Sequence, residues 1–182
     1  MPRIRYQVAV SLDGYIAGPK GEADWIVMDP DIDFDGLFSQ FDTFLMGRRT
    51  FAVAGAMGSA ASGAKTFVFS RTLRPADHPN VTIIPEVSEA TVAPIRGQAV
   101  KDIWLFGGGS LFQSFVDAGL VDTVEVAVMP VLLGGGVPLL PHPARQTELL
   151  LSGHRIHKTG IVFLEYLVKR ALPTTRRTQS RV

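Results

Sequence analysis

IWLFGGGSLFQSFVDAGLVD, residues Ile103 to Asp122, reads as a buried strand, a glycine turn and a helix. Ile103 to Phe106 is an uninterrupted apolar run, the pattern of a strand covered on both faces. Gly107, Gly108 and Gly109 follow, and then Leu111, Phe112, Phe115 and Val116 recur at i, i+1, i+4 and i+5 as one apolar stripe. This order presents free backbone N–H groups and the positive end of a helix dipole to an anion. Glycine lets the backbone turn tightly and approach a ligand with no Cβ in the way. A plain strand-to-helix turn is the alternative, but it does not require three consecutive glycines, so the stretch is read as a phosphate cradle.

Around it the chain has 182 residues, a length that fits one domain, and its 46% hydrophobic and 19% charged content is that of a compact chain. No apolar run approaches the roughly 20 residues needed to span a bilayer. The first apolar stretch is broken by Ser11 and Asp13, so a signal peptide is not expected. There is no cysteine, which removes disulfides, thiolate metal sites and a thiol nucleophile and fits a cytoplasmic protein. The segment ALPTTRRTQSRV carries three arginines and no acid; taking those charges from the net +1 leaves −2. A nucleic-acid binder would carry a basic folded face, so neither nucleic acid nor membrane is expected as a partner. The expected division is a domain over 1–170 and a basic, disordered tail over 171–182.

Strands are expected at Tyr6–Val10, Thr43–Met46, Lys65–Phe69, Val81–Ile84, Ile103–Phe106 and Val124–Met129. A closing hairpin is expected from His154–His157 and Ile161–Val168, turning through Lys158-Thr159-Gly160. Phe34, Leu37, Phe38 and Phe41 fall at i, i+3, i+4 and i+7, a short helix with Asp33 as N-cap. Helices are also expected over Ser88–Ile95, interrupted near Pro94, and over Ser110–Ala118, closed by Gly119. Ala52–Ala64 reads as a loop or frayed helix. Tyr15-Ile16-Ala17 reads as the lead into a turn-rich loop at Gly18–Gly21. Strands alternating with helices imply a mostly parallel sheet with an antiparallel element at its end.

In such sheets ligands lie beyond the carboxyl ends of the strands. Three sequence-distant candidates fall there: Gly47 to Thr50, Ser70 to Thr72, and Gly107 to Leu111. Arg48, Arg49 and Arg71 suit a phosphate monoester, since the guanidinium fork matches phosphate; singly, each is equally a solvated surface cation. Neither G-x-G-x-x-G nor the P-loop spacing is present. His78, His142, His154 and His157 show no ligand spacing, so no metal site is expected. Asp29, Asp31, Asp33 and Asp35 occupy alternate positions and read mainly as helix-start and solvated acids.

Taken together, VAVSLDGYIAG (Val8–Gly18), FLMGRRTF (Phe44–Phe51), FSRTL (Phe69–Leu73), WLFGGGSL (Trp104–Leu111) and MPVLLGGGVPLL (Met129–Leu140) resemble the dihydrofolate reductase-like superfamily. The nearest branch shares the reductase domain of bacterial riboflavin biosynthesis. The resemblance implies an α/β, three-layer fold: a central, mostly parallel mixed sheet of roughly eight strands, helices on both faces and a C-terminal β-hairpin. It also implies NADPH as hydride donor. On that reading Gly47, Arg48, Arg49 and Thr50 hold the pyrophosphate and 2′-phosphate side. Ser70 and Arg71 hold the 2′-phosphate, and Gly107, Gly108, Gly109, Ser110 and Leu111 the pyrophosphate. Ala9, Ile16 and Ala17 flank the nicotinamide. The chain departs from the pyrimidine-reductase branch, because Phe51 to Ala64 is small and apolar where those relatives have an Asp-x-Pro-x-Leu-x-x-Arg stretch.

The expected activity is therefore an NADPH-dependent reduction of a C=N or C=C bond in a small, pterin- or pyrimidine-like heterocycle. A catalytically inactive NADP(H)-binding module is the alternative. Asp13 and Asp31 are the acids expected to relay a proton or anchor the substrate; Asp13 also reads as a turn-capping residue, and Asp29, Asp33 and Asp35 fit the substrate acid nearly as well as Asp31. A homodimer is expected, since relatives are often dimers and the apolar terminal hairpin offers an edge for pairing.

Overall fold

The computed structural model describes residues 1–54 and 63–169. The expected tail over 171–182 and most of the Ala52–Ala64 segment lie outside the described residues. In chain order the strands are β1 (Ile4–Ser11), β2 (Tyr15–Ala17), β3 (Phe41–Gly47), β4 (Lys65–Phe69), β5 (Thr82–Ile84), β6 (Asp102–Gly107), β7 (Thr123–Met129), β8 (Val137–Pro138), β9 (Leu149–Ile156) and β10 (Val162–Val168). The helices are α1 (Phe34–Phe38), α2 (Arg48–Ala54), α3 (Glu89–Gln98) and α4 (Gly109–Asp117).

Eight strands form one sheet in the order β5-β4-β3-β6-β1-β7-β10-β9, and β2 pairs with β8 in a second, two-stranded sheet. The first six strands of the large sheet are parallel to their neighbours, and β10 then runs antiparallel to β7 and β9 antiparallel to β10. One face packs Ile4, Tyr6, Val10, Leu45, Phe67, Ile103 and Leu105 against Val92 and Ile95 of α3 and Leu111, Phe112 and Phe115 of α4. The other face gathers Phe41, Phe44, Met46 and Trp104 under Leu37 of α1 and Phe51 and Ala54 of α2. The Trp104 ring touches Phe38, Phe41, Phe44 and Phe106, with centroids 4.9 to 5.8 Å away. This is the expected three-layer arrangement, with a hydrophobic core on each side of one sheet.

Local signals explain the elements and their departures from expectation. Asp33 caps α1 by accepting from Gly36 N–H at 2.8 Å. The helix ends at Phe38, however, and Phe41 begins β3, because its ring is buried against Trp104 on the sheet. Ser88 and Thr91 close a capping box on α3, which continues through Pro94 to Gln98. The proline lies on the exposed side while Val92 and Ile95 hold the turn around it. Arg48 opens α2 directly at the end of β3. Tyr15–Ala17 is a strand because Val137–Pro138 arrives 120 residues later to pair with it. No helix among the described residues is long and apolar enough to cross a membrane.

The amino ends of β1 and β7 are joined by a buried ion pair. Arg5 donates to both oxygens of Glu125 at 2.7 and 2.8 Å and to Gln40 Oε1 at 2.7 Å. Its guanidinium lies 4.8 Å from the Phe41 ring centroid, and the Thr123 hydroxyl donates to Glu125 at 2.8 Å. Leaving one member of such a pair buried alone is costly, whereas replacing both by apolar groups is not. Glu125→Leu is therefore expected to lower the free energy of urea unfolding by about 3–5 kcal/mol. Combining it with Arg5→Met should recover most of the loss; a single-variant loss below about 1 kcal/mol would mean the pair is not the constraint it is taken for here.

Candidate functional site

Three strand ends meet at the carboxyl edge of the sheet. Met46 of β3 is in register with Gly107 of β6, and Gly47 with Phe69 of β4, so the chain leaves all three strands side by side. Gly47, Arg48, Arg49 and Thr50 turn into α2, Ser70 and Arg71 leave β4, and Gly107 to Leu111 lead into α4. Ser70 N–H donates to Ile84 O at 2.8 Å and its hydroxyl accepts from Thr72 and Leu73 N–H at 3.2 and 3.1 Å, which stiffens the turn. Arg48 Nη1 reaches Thr72 Oγ1 at 3.4 Å, tying the β3 end to the β4 end. Arg48, Arg49 and Arg71 are exposed, and among the described residues none forms an ion pair.

Each glycine of the turn has a different environment. Gly107 has φ +106°, and a Cβ there would sit 3.3 Å from the edge of the Tyr6 ring, which itself stacks on Phe112 at 3.8 Å. Both backbone and packing require glycine. A Cβ on Gly109 would lie 2.6 Å from the Pro138 carbonyl, so that glycine lets β8 press against the start of α4. At Gly108 the nearest atoms to a Cβ are Thr50 Oγ1 at 3.6 Å and Ile16 Cδ1 at 3.9 Å, ordinary contact distances. Packing within the protein does not demand a glycine at Gly108. Its bare backbone faces a space walled by Thr50 and Ile16, next to the first-turn N–H groups of α4 that have no intrahelical acceptor. The peptide between Gly107 and Gly108 is cis.

Beside this turn β1 and β6 part, and the gap between them is the candidate cleft. β1 pairs with β6 only as far as Tyr6 opposite Leu105, yet continues along β7 to Ser11 opposite Met129. Beyond Tyr6 the β6 side of β1 is unpaired, and Trp104 Nε1 donates to the first free carbonyl, that of Gln7, at 3.0 Å. Ala9 sits opposite Ala127, which in turn faces Phe163 on β10, so two small residues form a shallow floor. Ile16 and Ala17 border the cleft from β2, held against β8. These sequence-expected residues, Ala9, Ile16, Ala17 and the three strand ends, are brought to one edge.

The acids behave differently from one another. Asp13 is exposed, and its carboxylate accepts from the Ser11 hydroxyl at 2.6 Å and from Leu133 and Gly134 N–H at 3.1 and 2.7 Å. Those bonds, the Ser11 hydroxyl first, hold its pKa below the usual carboxylate value. Its position is that of a clasp between the β1–β2 turn and the loop after β7. Asp31 is exposed and gives its backbone N–H to Asp29 Oδ1 at 2.8 Å. Asp29 is the buried acid of the run, 4% exposed. It accepts from the Thr159 hydroxyl at 2.5 Å and lies 3.7 Å from His157 Nδ1. The Thr159 bond, then the Asp31 N–H, holds Asp29 below the ordinary value. Sequence reading did not pair Asp29 with the terminal hairpin, and nothing within its local stretch signals a partner 130 residues away. Among the described residues no three metal-binding side chains cluster.

Comparison with known proteins gives the family and the fold. The RibD C-terminal domain family model matches residues 2–163. The chain is 35% identical over 177 residues to YyaP of Bacillus subtilis (strain 168), an alignment covering 90% of this chain and 94% of that protein. A putative riboflavin biosynthesis protein from Shewanella sp. PV-4 superposes with a TM-score of 0.78 at 24% identity, covering 92% of this chain and 99% of that one. Dihydrofolate reductase from Enterococcus faecalis, solved with NADP(H), gives 0.66 at 15% identity, with 92% and 97% covered. The fold is dihydrofolate reductase-like.

Asp13 and Asp29 make the loops at this edge acid-sensitive. A carboxylate with a lowered folded pKa contributes stability above its unfolded value of about 3.9, and the contribution is lost as pH falls through the folded value. After correction for intrinsic rates, amide exchange at Leu133 and Gly134 should accelerate as the pH falls from 5 to 2. Asp13→Asn, which cannot titrate, should exchange faster at neutral pH and lose that pH dependence. Equal pH profiles for the two proteins would remove the clasp.

Proposed function

The chain belongs to the RibD C-terminal domain family, and from that premise we propose that it is an NADPH-dependent reductase acting on a C=N or C=C bond of a small pyrimidine- or pterin-like heterocycle. The observation that carries the reading is Gly108, a glycine not required by the protein's own packing, at the mouth of a helix and beside three converging strand ends. NADPH, when bound, supplies the hydride. The chain's residues do the positioning. Gly107, Gly108, Gly109, Ser110 and Leu111 offer backbone N–H groups to the pyrophosphate, and Gly47 and Thr50 line the same side. Arg48, Arg49, Ser70 and Arg71 take the 2′-phosphate, the group that separates NADPH from NADH. Ala9, Ile16 and Ala17 flank the nicotinamide where β1 parts from β6.

The substrate lies on the α1 face, over the Ala9–Ala127 floor and beside the aromatic rings of Phe106 and Phe163, a setting suited to a flat ring. Asp31, exposed on the approach to α1, is the acid proposed to anchor the substrate or relay a proton, while Asp13 positions the loop that β8 ends. A second copy of the chain is the proposed partner. The outermost strand β9 and its neighbour expose Leu149, Leu150, Leu151, Ile156 and Leu167, an apolar edge that pairing would cover.

Calorimetric titration with NADPH and NADH tests the cofactor. Arg71→Ala should weaken NADPH at least about tenfold and leave NADH nearly unchanged, whereas Gly108→Asp should weaken both without unfolding the protein. Wild-type protein that binds neither would end the reductase reading. Tight NADPH binding with no oxidation by any pterin or pyrimidine tried would instead favour an inactive binding module. Light scattering should give twice the chain mass, falling to one chain in Leu150→Glu/Ile156→Glu; a monomeric wild type would refute the dimer.

A further inference from the structure

We infer that Tyr6 is a positioning residue for the glycine turn: its hydroxyl donates to an inward-facing carbonyl of Gly107–Gly109 once an anion has drawn the turn's N–H groups outward. The inference rests on the reductase reading and adds to it a residue of the core that never touches the cofactor.

The Tyr6 side chain is fully buried, and its hydroxyl has no hydrogen-bond partner, one of two such side-chain atoms among the described residues. Buried hydroxyls are almost always paired, because an unmade bond forfeits the solvation lost on burial. Phenylalanine would supply the same ring and the same packing without that cost. The core that Tyr6 shares with Leu105, Leu111, Phe112 and Phe115 is built of apolar side chains, so a partner has to come from the backbone. Burial also pushes the phenol well above its ordinary pKa, which keeps the group a hydrogen-bond donor.

Position says which backbone. Tyr6 stands opposite Leu105 at the last pairing of β1 with β6, two residues short of Gly107. A Cβ on Gly107 would lie 3.3 Å from Tyr6 Cε2 and 3.8 Å from its hydroxyl oxygen, so the polar end of the ring lies directly beneath the turn. The face of the ring stacks on Phe112, with centroids 3.8 Å apart and planes 8° from parallel. Phe112 N–H in turn donates to Gly108 O at 3.0 Å in the first turn of α4. One rigid ring therefore supports both the glycine turn and the helix start. The N–H and C=O of a trans peptide point in opposite directions, so a peptide that offers its N–H outward to an anion offers its C=O inward. Inward of this turn lies the Tyr6 hydroxyl. A bond made only in that arrangement adds to the affinity for the anion and nothing to the stability of the protein without it.

Calorimetry with NADPH and thermal unfolding of the ligand-free protein, for wild type and Tyr6→Phe, test the assignment. Tyr6→Phe should unfold at the wild-type temperature or above it, yet bind NADPH at least about threefold more weakly. A smaller loss of affinity in the folded variant overturns the assignment. An unfolding temperature clearly below that of wild type also overturns it, since the hydroxyl is then bonded before NADPH arrives. Proton NMR of wild type carrying labelled tyrosine gives a second reading that does not depend on the variant. The Tyr6 hydroxyl proton should be protected from exchange and should move downfield when NADPH is added. A proton lost to exchange marks a hydrated hydroxyl, and one that NADPH does not move marks an idle one; either result overturns the inference. Wild type that binds no NADPH ends the reductase reading itself and takes this inference with it.

Discussion

Everything at the carboxyl edge depends on β1 keeping one neighbour and losing the other. Along β7 the strand is paired from Arg5 to Ser11, while along β6 pairing stops at Tyr6. A strand released on both sides would be a loop, and one paired on both sides would leave no cleft. The half-release holds Ala9 rigid while opening a slot beside it. It is maintained from below by the Arg5–Glu125 pair, which locks β1 to β7, and at the fork by Trp104, which satisfies the carbonyl that β6 no longer pairs. Trp104 is itself fixed by four aromatic neighbours, so the fork is anchored in the second core.

Most of the architecture was legible because the signals are local. Each of the six runs expected before the closing hairpin became a strand, Ser88 and Asp33 capped the helices they precede, and the three candidate strand ends proved to be neighbours in the order β4-β3-β6. Local patterns failed where the partner is distant. Tyr15–Ala17 has no strand signal of its own and is ordered by Val137–Pro138. Phe41 fits a helical stripe by spacing, but the pull of Trp104 places it on the sheet. β9 begins at Leu149, five residues before the expected start, because β10 continues to Val168 and offers it a ladder.

The acidic run shows the same limit at the level of chemistry. Four aspartates on alternate positions are indistinguishable in the sequence, yet the fold gives them different work. Asp33 caps α1, Asp29 is buried against Thr159, and Asp31 stays in solvent. The deciding variable is which side of the segment faces the β9–β10 turn, a tertiary fact with no local trace. Gln7 is a similar case. Its type is unremarkable in a strand, and only the full set of bonds around it shows that its carboxamide oxygen is left over.

The glycines carry the argument one step further, because a run of identical residues need not have one cause. Gly107 is fixed by its positive φ and by Tyr6, and Gly109 by the Pro138 carbonyl, so both would be glycine in a protein with no ligand. Gly108 alone has room for a side chain. The three glycines therefore have different packing causes, although a backbone N–H at any of them is the same group to an anion. The loop after β7 belongs to the same assembly: Asp13 clasps Leu133 and Gly134, and Pro138 at its far end presses on Gly109. The α4 amino terminus is thus linked, through one loop, to a carboxylate at the β1–β2 turn.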